Sequence, residues 1–287
     1  MKRFDLGLTG HPLSHSISPA LHEAALAATG TSGRFRLYPV PHLPAGALEL
    51  ERLVDGVRQG DLAGLNVTIP HKRNVIPFLD RLAPAAAAAG AVNTISFNEG
   101  TLIGDNTDVE GFRRDLKRVF DLAPGTALIL GAGGAARAVA SALLADGWRV
   151  RVAARRSTQA EALARDLPGV KTVPGLPPDE VRTAADRPAL IVNATPLGMA
   201  SETGDSPWPV DRPLPNGCAV YDLVYNPQET AFLRLARTQG VPAAGGMGML
   251  VEQAALAFEI WTGRRPPVEH LREAAQTAIM AMRKENP

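Results

Sequence analysis

A single cysteine, Cys218, sits in an apolar run, and with no second thiol the chain has neither an intrachain disulfide nor a cysteine-built metal cluster open to it. Cys218 itself reads as a small buried residue. An excess of either charge is missing too: 30 Lys and Arg stand against 29 Asp and Glu. That balance argues against a nucleic-acid or membrane surface built on bulk charge. No apolar run approaches the roughly 18 residues needed to cross a bilayer. The N-terminus, Met1-Lys-Arg-Phe-Asp-Leu-Gly, lacks the long apolar core and cleavage site of a leader. The expected location is the cytoplasm, and the expected partner a small molecule. No internal repeat or low-complexity linker appears in the 287 residues, which are enough for two domains with a sizeable core.

What the chain does have is a glycine turn in the right surroundings. Thr126 to Leu130 is a short, nearly continuous apolar run, as a parallel strand buried on both faces requires. Gly131-Ala132-Gly133-Gly134-Ala135-Ala136 follows at once, then a helix to Ala145 closed by Gly147, then a second strand. Gly131 allows the tight turn and Gly133 removes a side chain where a pyrophosphate must approach the backbone. Ala136 is small enough for close helix packing. The helix aims its free N–H groups at the phosphate. This context favours dinucleotide binding over a plain structural turn. Roughly 20 residues beyond the first glycine, an NAD site would carry an acidic residue for the ribose 2′-hydroxyl. Arg155, Arg156, Ser157 and Thr158 stand there instead. Guanidinium groups meet phosphate oxygens with paired charge-assisted hydrogen bonds, so the expected cofactor is NADP. A solvated basic loop is the competing reading.

Elsewhere the chain alternates strands with polar loops. Residues 3 to 9 suggest a first strand, followed by a loop containing Ser16-Ile17-Ser18-Pro19. Ser18 before Pro19 is a good helix N-cap, while Ser16 has no capping duty to assign. Two hydroxyls beside free N–H groups would suit a carboxylate. In Gly64 to Lys72, Leu65, Val67 and Ile69 alternate with Asn66, Thr68 and Pro70, so one face presents an amide and a hydroxyl. Lys72 follows the break, and by itself a lone lysine is ordinary surface charge. A hairpin is expected around Asn98-Glu99-Gly100, ending in Asp105-Asn106-Thr107-Asp108. That cluster lacks the Gly and Glu of a calcium loop, with Glu110 and Leu116 in their places, and no metal is expected. Thr107 or Asp108 would cap the following helix. Residues 200 to 217 read as a mobile surface loop.

Seven ordered motifs share a pattern: Ser16-Ile-Ser18-Pro19, Asn66-Val-Thr68-Ile-Pro-His-Lys72, Gly90-Ala-Val-Asn93-Thr, Asn106-Thr-Asp108, Gly131-Ala132-Gly133-Gly134-Ala135, Asn193-Ala-Thr195-Pro-Leu-Gly-Met and Gly246-Met-Gly-Met249-Leu-Val-Glu-Gln253. Together they resemble the shikimate dehydrogenase family over nearly the whole chain. The resemblance implies an α/β protein of two domains. Residues 1–107 with 246–287 would form the substrate-binding and catalytic domain, and 108–245 a central Rossmann-like NADP-binding domain. It implies Lys72 and Asp108 as the catalytic pair and Ser16 and Ser18 on the substrate carboxylate. Asn66, Thr68, Asn93 and Gln253 would hold the substrate, with Tyr225 nearby. Gly246 and Met249 would lie by the nicotinamide, with Thr195 also at the cofactor. The family's basic loop often begins Asn-Arg-Thr, whereas Ala154-Arg155-Arg156 stands here. One adenosine contact is thereby lost and the phosphate argument strengthened. The reaction implied is NADPH-dependent reversible reduction of 3-dehydroshikimate to shikimate, with no nucleic acid or membrane involved and a homodimer left open. The alternatives are a quinate/shikimate dehydrogenase and a nucleotide-binding relative without chemistry.

Overall fold

The computed structural model describes residues 3–175, 187–199 and 205–285. The chain divides into two compact units, one made of residues 1–111 and 251–287, the other of 112–250.

The first unit is built on a mixed sheet of β1 (Phe4–Gly10), β2 (Gly33–Pro39), β3 (Gly64–Val67), β4 (Arg81–Leu82), β5 (Thr94–Asn98) and β6 (Thr101–Asp105), in the order β2-β1-β3-β5-β6-β4. Strands β1, β2 and β3 run parallel, and β5 pairs antiparallel with both β3 and β6. The β5–β6 hairpin is tight, with Asn98 opposite Thr101 and positive φ at Glu99 (49°) and Gly100 (78°). Such a turn matches the twist of the strands. Helices α1 (Ser18–Ala28), α2 (Ala47–Gln59) and α3 (Pro84–Ala89) connect the strands. On α2, Leu50, Val54 and Val57 recur at helical spacing and join Leu65, Val67 and Ile95 of the sheet in one core.

Helix α4 (Thr107–Val119) leads into the second unit, a sheet of β7 (Thr126–Leu130), β8 (Arg149–Ala153), β9 (Val170–Val173), β10 (Leu190–Asn193), β11 (Ala219–Asp222) and β12 (Ala243–Gly245). Its strand order, β12-β11-β10-β7-β8-β9, is that of a doubly wound dinucleotide-binding sheet, and each adjacent pair in it runs parallel. Helices α5 (Gly134–Ala145), α6 (Ser157–Asp166) and α7 (Ala231–Thr238) belong to it. Two long helices close the chain, α8 (Met247–Thr262) and α9 (Val268–Glu285). The indole N–H of Trp261 on α8 donates to the carbonyl of Ile95 at 2.9 Å. A Cβ at Gly64 would fall 2.2 Å from that indole nitrogen, so the start of β3 has no room for a side chain.

Two expectations need correction. Ser18 does not cap α1: it is the first helical residue, Ile17 precedes it as the cap, and no side chain caps that position. Instead the Ser18 backbone N–H donates to Ser16 Oγ at 3.3 Å, so Ser16 does the work expected of Ser18. The second concerns residues 200–217, of which 200–204 lie outside the described residues. Trp208 and Leu214 are not at the surface: both are buried in the core beneath β10 and β11, because large apolar side chains there gain more from burial than the loop backbone loses.

Candidate active site

In the first unit, β3, the loop after it, the β5–α4 region and α8 bring together the polar side chains singled out from the sequence. Lys72 Nζ donates to Asp108 Oδ2 at 2.5 Å, and the two side chains keep only 13% and 8% of their exposure. The Lys72 loop is held from three sides. The Val92 N–H donates to the Lys72 carbonyl at 2.7 Å, the His71 N–H to Thr68 O at 2.8 Å, and the buried His71 ring meets Val40 O through Nε2 at 2.9 Å. Asp108 sits in the first turn of α4, where a negative charge is favoured by the helix dipole. It stands inside the helix as the second residue, past the cap position, and there is the ion-pair partner of Lys72. The Thr107 N–H is satisfied by Asn93 Oδ1 at 2.8 Å.

Asn93 is the hub of this cluster. Its Nδ2 donates to Asp108 Oδ1 at 3.0 Å, to Thr107 Oγ1 at 2.9 Å and, more weakly, to Gln253 Oε1 at 3.4 Å. Its Oδ1 also accepts from Thr94 Oγ1 at 2.9 Å. Asn66 Nδ2 donates to Asn93 O at 3.0 Å and to Thr94 Oγ1 at 3.2 Å. Gln253 is held against α4, since a Cβ at Gly111 would lie 2.9 Å from its backbone nitrogen. Thr94 and Thr107 stand in the sequence motifs, Thr107 as a possible helix cap, but neither was expected in the site. They fix the orientation of the Asn93 amide, and their adjacency to Asn93 and Asp108 was the available signal. Ser16 and Ser18 are both partly buried, with Ser16 Oγ donating to Ser18 Oγ at 3.2 Å. Their loop is tied to the Lys72 loop by the His11 N–H, which donates to Ile69 O at 2.8 Å. Thr68 is partly buried in that same loop.

The second unit carries the remaining candidates at the carboxyl ends of its strands, with the reversal of strand order between β7 and β10. Gly131 follows β7 at φ 110°, and a Cβ there would lie 2.8 Å from Ala194 O, so only glycine lets the chain approach the end of β10 here. At Gly133 no atom of the described residues beyond its chain neighbours lies within 4 Å of where a Cβ would point, which leaves the first turn of α5 open to a pyrophosphate. Ala132, Gly134 and Ala135 complete that turn. Arg155 and Arg156 after β8 are exposed and make no ion pair among the described residues, and Ser157 begins α6 beside them. This donor set fits a dinucleotide bearing an extra phosphate. Thr195 follows β10, its N–H and hydroxyl both donating to Asn193 Oδ1 at 3.0 and 2.7 Å. The Gly246 N–H donates to Val224 O at 3.1 Å. The Met249 N–H donates to the buried Tyr221 hydroxyl, which itself donates to Asp115 Oδ2 at 2.5 Å. Tyr225 follows β11, and burial pushes its phenol up to about 12, so it remains protonated at working pH.

The chain is similar to known proteins over nearly its whole length. Residues 8–95 match the family model described as the shikimate dehydrogenase substrate binding domain, and residues 246–276 that of the shikimate 5′-dehydrogenase C-terminal domain. The chain is 46% identical to the shikimate dehydrogenase (NADP(+)) of Symbiobacterium thermophilum, over 96% of this chain and 94% of that one. Among solved structures, shikimate 5-dehydrogenase from Thermus thermophilus in complex with NADP(H) and shikimate superposes with a TM-score of 0.84 at 40% identity, covering 96% of this chain and 99% of that one. Quinate dehydrogenase from Corynebacterium glutamicum in complex with NAD superposes with a TM-score of 0.85 at 33% identity, covering 96% and 100%.

Proposed function

The chain belongs to the shikimate dehydrogenase family, and from that membership we infer that it catalyses the reversible reduction of 3-dehydroshikimate to shikimate with NADPH, a step of aromatic amino-acid synthesis. The observation that carries the chemistry is the nearly buried Lys72–Asp108 pair, oriented on its aspartate side by Asn93. When bound, NADPH supplies the hydride that turns the ketone into an alcohol. The chain's own contribution is the proton. Negative charge builds on the substrate oxygen as the ketone is reduced, and Lys72 Nζ delivers a proton to it; in the oxidative direction Lys72 takes the proton back. Asp108 aims the ammonium, and Asn93 keeps the carboxylate from turning away.

In this reading Ser16 and Ser18 hold the substrate carboxylate, and Asn66, Thr68, Asn93 and Gln253 hold its hydroxyls, with the Tyr225 phenol as a further donor. Gly131 to Ala135 take the pyrophosphate and Arg155, Arg156 and Ser157 the 2′-phosphate, while Thr195, Gly246 and Met249 serve the nicotinamide side. No helix among the described residues is long and apolar enough to cross a membrane. The balanced charge supports an enzyme that works on small molecules and has no nucleic-acid or membrane surface built on bulk charge, and its location in this reading is the cytoplasm.

One structural relative is a quinate dehydrogenase in complex with NAD, so the decisive experiment is steady-state kinetics with shikimate and quinate, each with NADP and NAD. Shikimate with NADP is expected to give the highest kcat/KM, because Arg155 and Arg156 stand where an NAD site needs an acid. A higher value for quinate, or for NAD, overturns the assignment.

A further inference from the structure

Asp222 ends β11 with no exposed surface, and three segments share its carboxylate. Oδ1 accepts from the Asn193 amide at 2.8 Å and from the Val224 N–H at 3.0 Å, and Oδ2 accepts from the Thr230 hydroxyl at 2.7 Å. Each donor belongs to a loop at the carboxyl end of the second sheet. Asn193 ends β10. Its Nδ2 is drawn to Asp222 and, at 3.2 Å, to Leu197 O, which turns its Oδ1 toward the N–H and hydroxyl of Thr195. Thr195 Oγ1 in turn accepts from the Leu197 N–H at 3.2 Å, closing the loop on itself. Val224 leads to Tyr225, and its carbonyl receives the Gly246 N–H that follows β12. Thr230 caps α7, accepting from the Leu233 N–H at 3.1 Å.

The end of β10, the loop after β11 and the start of α7 therefore meet at one carboxylate, and the end of β12 is tied to it at one remove, through the Val224 carbonyl. An ionised carboxylate is all acceptor, with room for every donor present, whereas an amide of the same shape would turn a donor on one of them. Burial pushes this carboxyl up to about 6 while the three donors pull it back, so at neutral pH the charge is kept in place at a cost. An apolar residue at the end of β11 would fill the space without that cost.

We propose that Asp222 is a positioning residue of the cofactor site, holding the loops after β10, β11 and β12 in one arrangement so that NADP meets a surface already formed. It acts through Asn193 and Thr195 and through the Val224–Gly246 link. The proposal rests on the cofactor reading of Thr195 and Gly246 given above, and the two are tested separately.

The measurements are NADP binding to the full chain by calorimetry, with steady-state kinetics and thermal midpoints alongside. Thr195→Val addresses the cofactor reading and should weaken NADP about tenfold; an unchanged Kd sinks that reading. Asp222→Asn should also weaken NADP and raise its KM about tenfold, with kcat at saturation within about threefold of wild type. The double variant should bind no more weakly than the worse single one, because both changes act on the same loop. A lower kcat at unchanged KM for NADP would mean that Asp222 only keeps protein folded, and it overturns the proposal, as do losses that multiply in the double variant. If Asp222→Asn does not accumulate as folded protein, Thr230→Val breaks one of the three bonds at nearly constant volume. It should give a smaller rise in KM for NADP, reversed in Thr230→Ser; no rise, or an equal rise in Thr230→Ser, overturns the proposal as well.

Discussion

Lys72 and Asp108 are each other's counter-ion where neither is well solvated, so removing one leaves the other exposed to the cost of burial. That cost is typically about 3 to 5 kcal/mol for a buried pair. Lys72→Ala is therefore expected to lower the thermal midpoint as well as to reduce kcat by about 10² to 10⁴-fold, the usual worth of general acid–base catalysis. NADP affinity should hold, since Gly131 to Ala135 and Arg155 belong to the other unit. Asp108→Asn should also reduce kcat. The double variant should lose far less than the product of the single losses, because the two residues act as one device. Near wild-type kcat in Lys72→Ala would end the mechanism. At the serine loop, Ser16→Ala removes the acceptor of the Ser18 N–H and should cost up to about 1 kcal/mol of stability besides weakening shikimate binding. Ser18→Ala should weaken shikimate binding with little change in stability. A lower melting temperature in Ser18→Ala alone would restore the capping role to Ser18. These residues were legible unequally. Asn66 is legible as an amide within an apolar strand, but the alternation expected on through Thr68 and Ile69 does not hold, because β3 ends at Val67 with all four residues buried and Ile69 is exposed; a lysine after a proline, likewise, looks like any surface charge. Only its partner from 36 positions away gives it a role, and spacing does not report such a contact.

At the scale of elements, the loop between β8 and α6 carries the choice of cofactor. With neither Arg155 nor Arg156 committed to an ion pair within the described residues, replacing both by apolar residues should raise the KM for NADP at least tenfold. Weak activity with NAD should hardly change. Equal losses with both cofactors would make the arginines structural. The glycine turn and its flanking strands were readable because every residue of β7 is buried, and a strand covered on both faces leaves an unbroken apolar run in the sequence. The β5–β6 hairpin was readable from Asn98-Glu99-Gly100. By contrast, β4, β9 and β12 span two, four and three residues, too short for a periodicity to register, and exist because a neighbouring strand offers a free edge. The burial of Trp208 was illegible for a related reason. Proline, glycine and acidic residues around it signal a surface loop, and only the core beneath β10 and β11 reveals where the indole goes.

Taken as a whole molecule, the chain pays for its substrate unit in acid. His22 is stacked on Phe35 with ring centroids 4.2 Å apart, near Trp261 and Phe258, and burial holds its imidazole down to about 3, with some relief from Asn66. The ordinary value is about 6.5, so between these two pH values the unfolded chain binds more protons here than the folded one. Stability contributed at this site is intact above pH ~6.5 and falls as the pH drops toward 3, by as much as about 4 kcal/mol. His22→Phe should flatten the fall in urea-unfolding free energy between pH 6.5 and 4; an unchanged slope would show that the histidine is not its source. The anchoring of Trp261 over Gly64 and Ile95 also bears on synthesis. The indole that covers the start of β3 is made only after the second unit, which is continuous in sequence. A ribosome adding about 5–20 residues each second therefore finishes the cofactor unit while the first sheet still waits, for roughly ten to thirty seconds, without α8 and α9. During that interval the start of β3 stands without the indole that later fills the space over Gly64, and the Ile95 carbonyl waits for its donor.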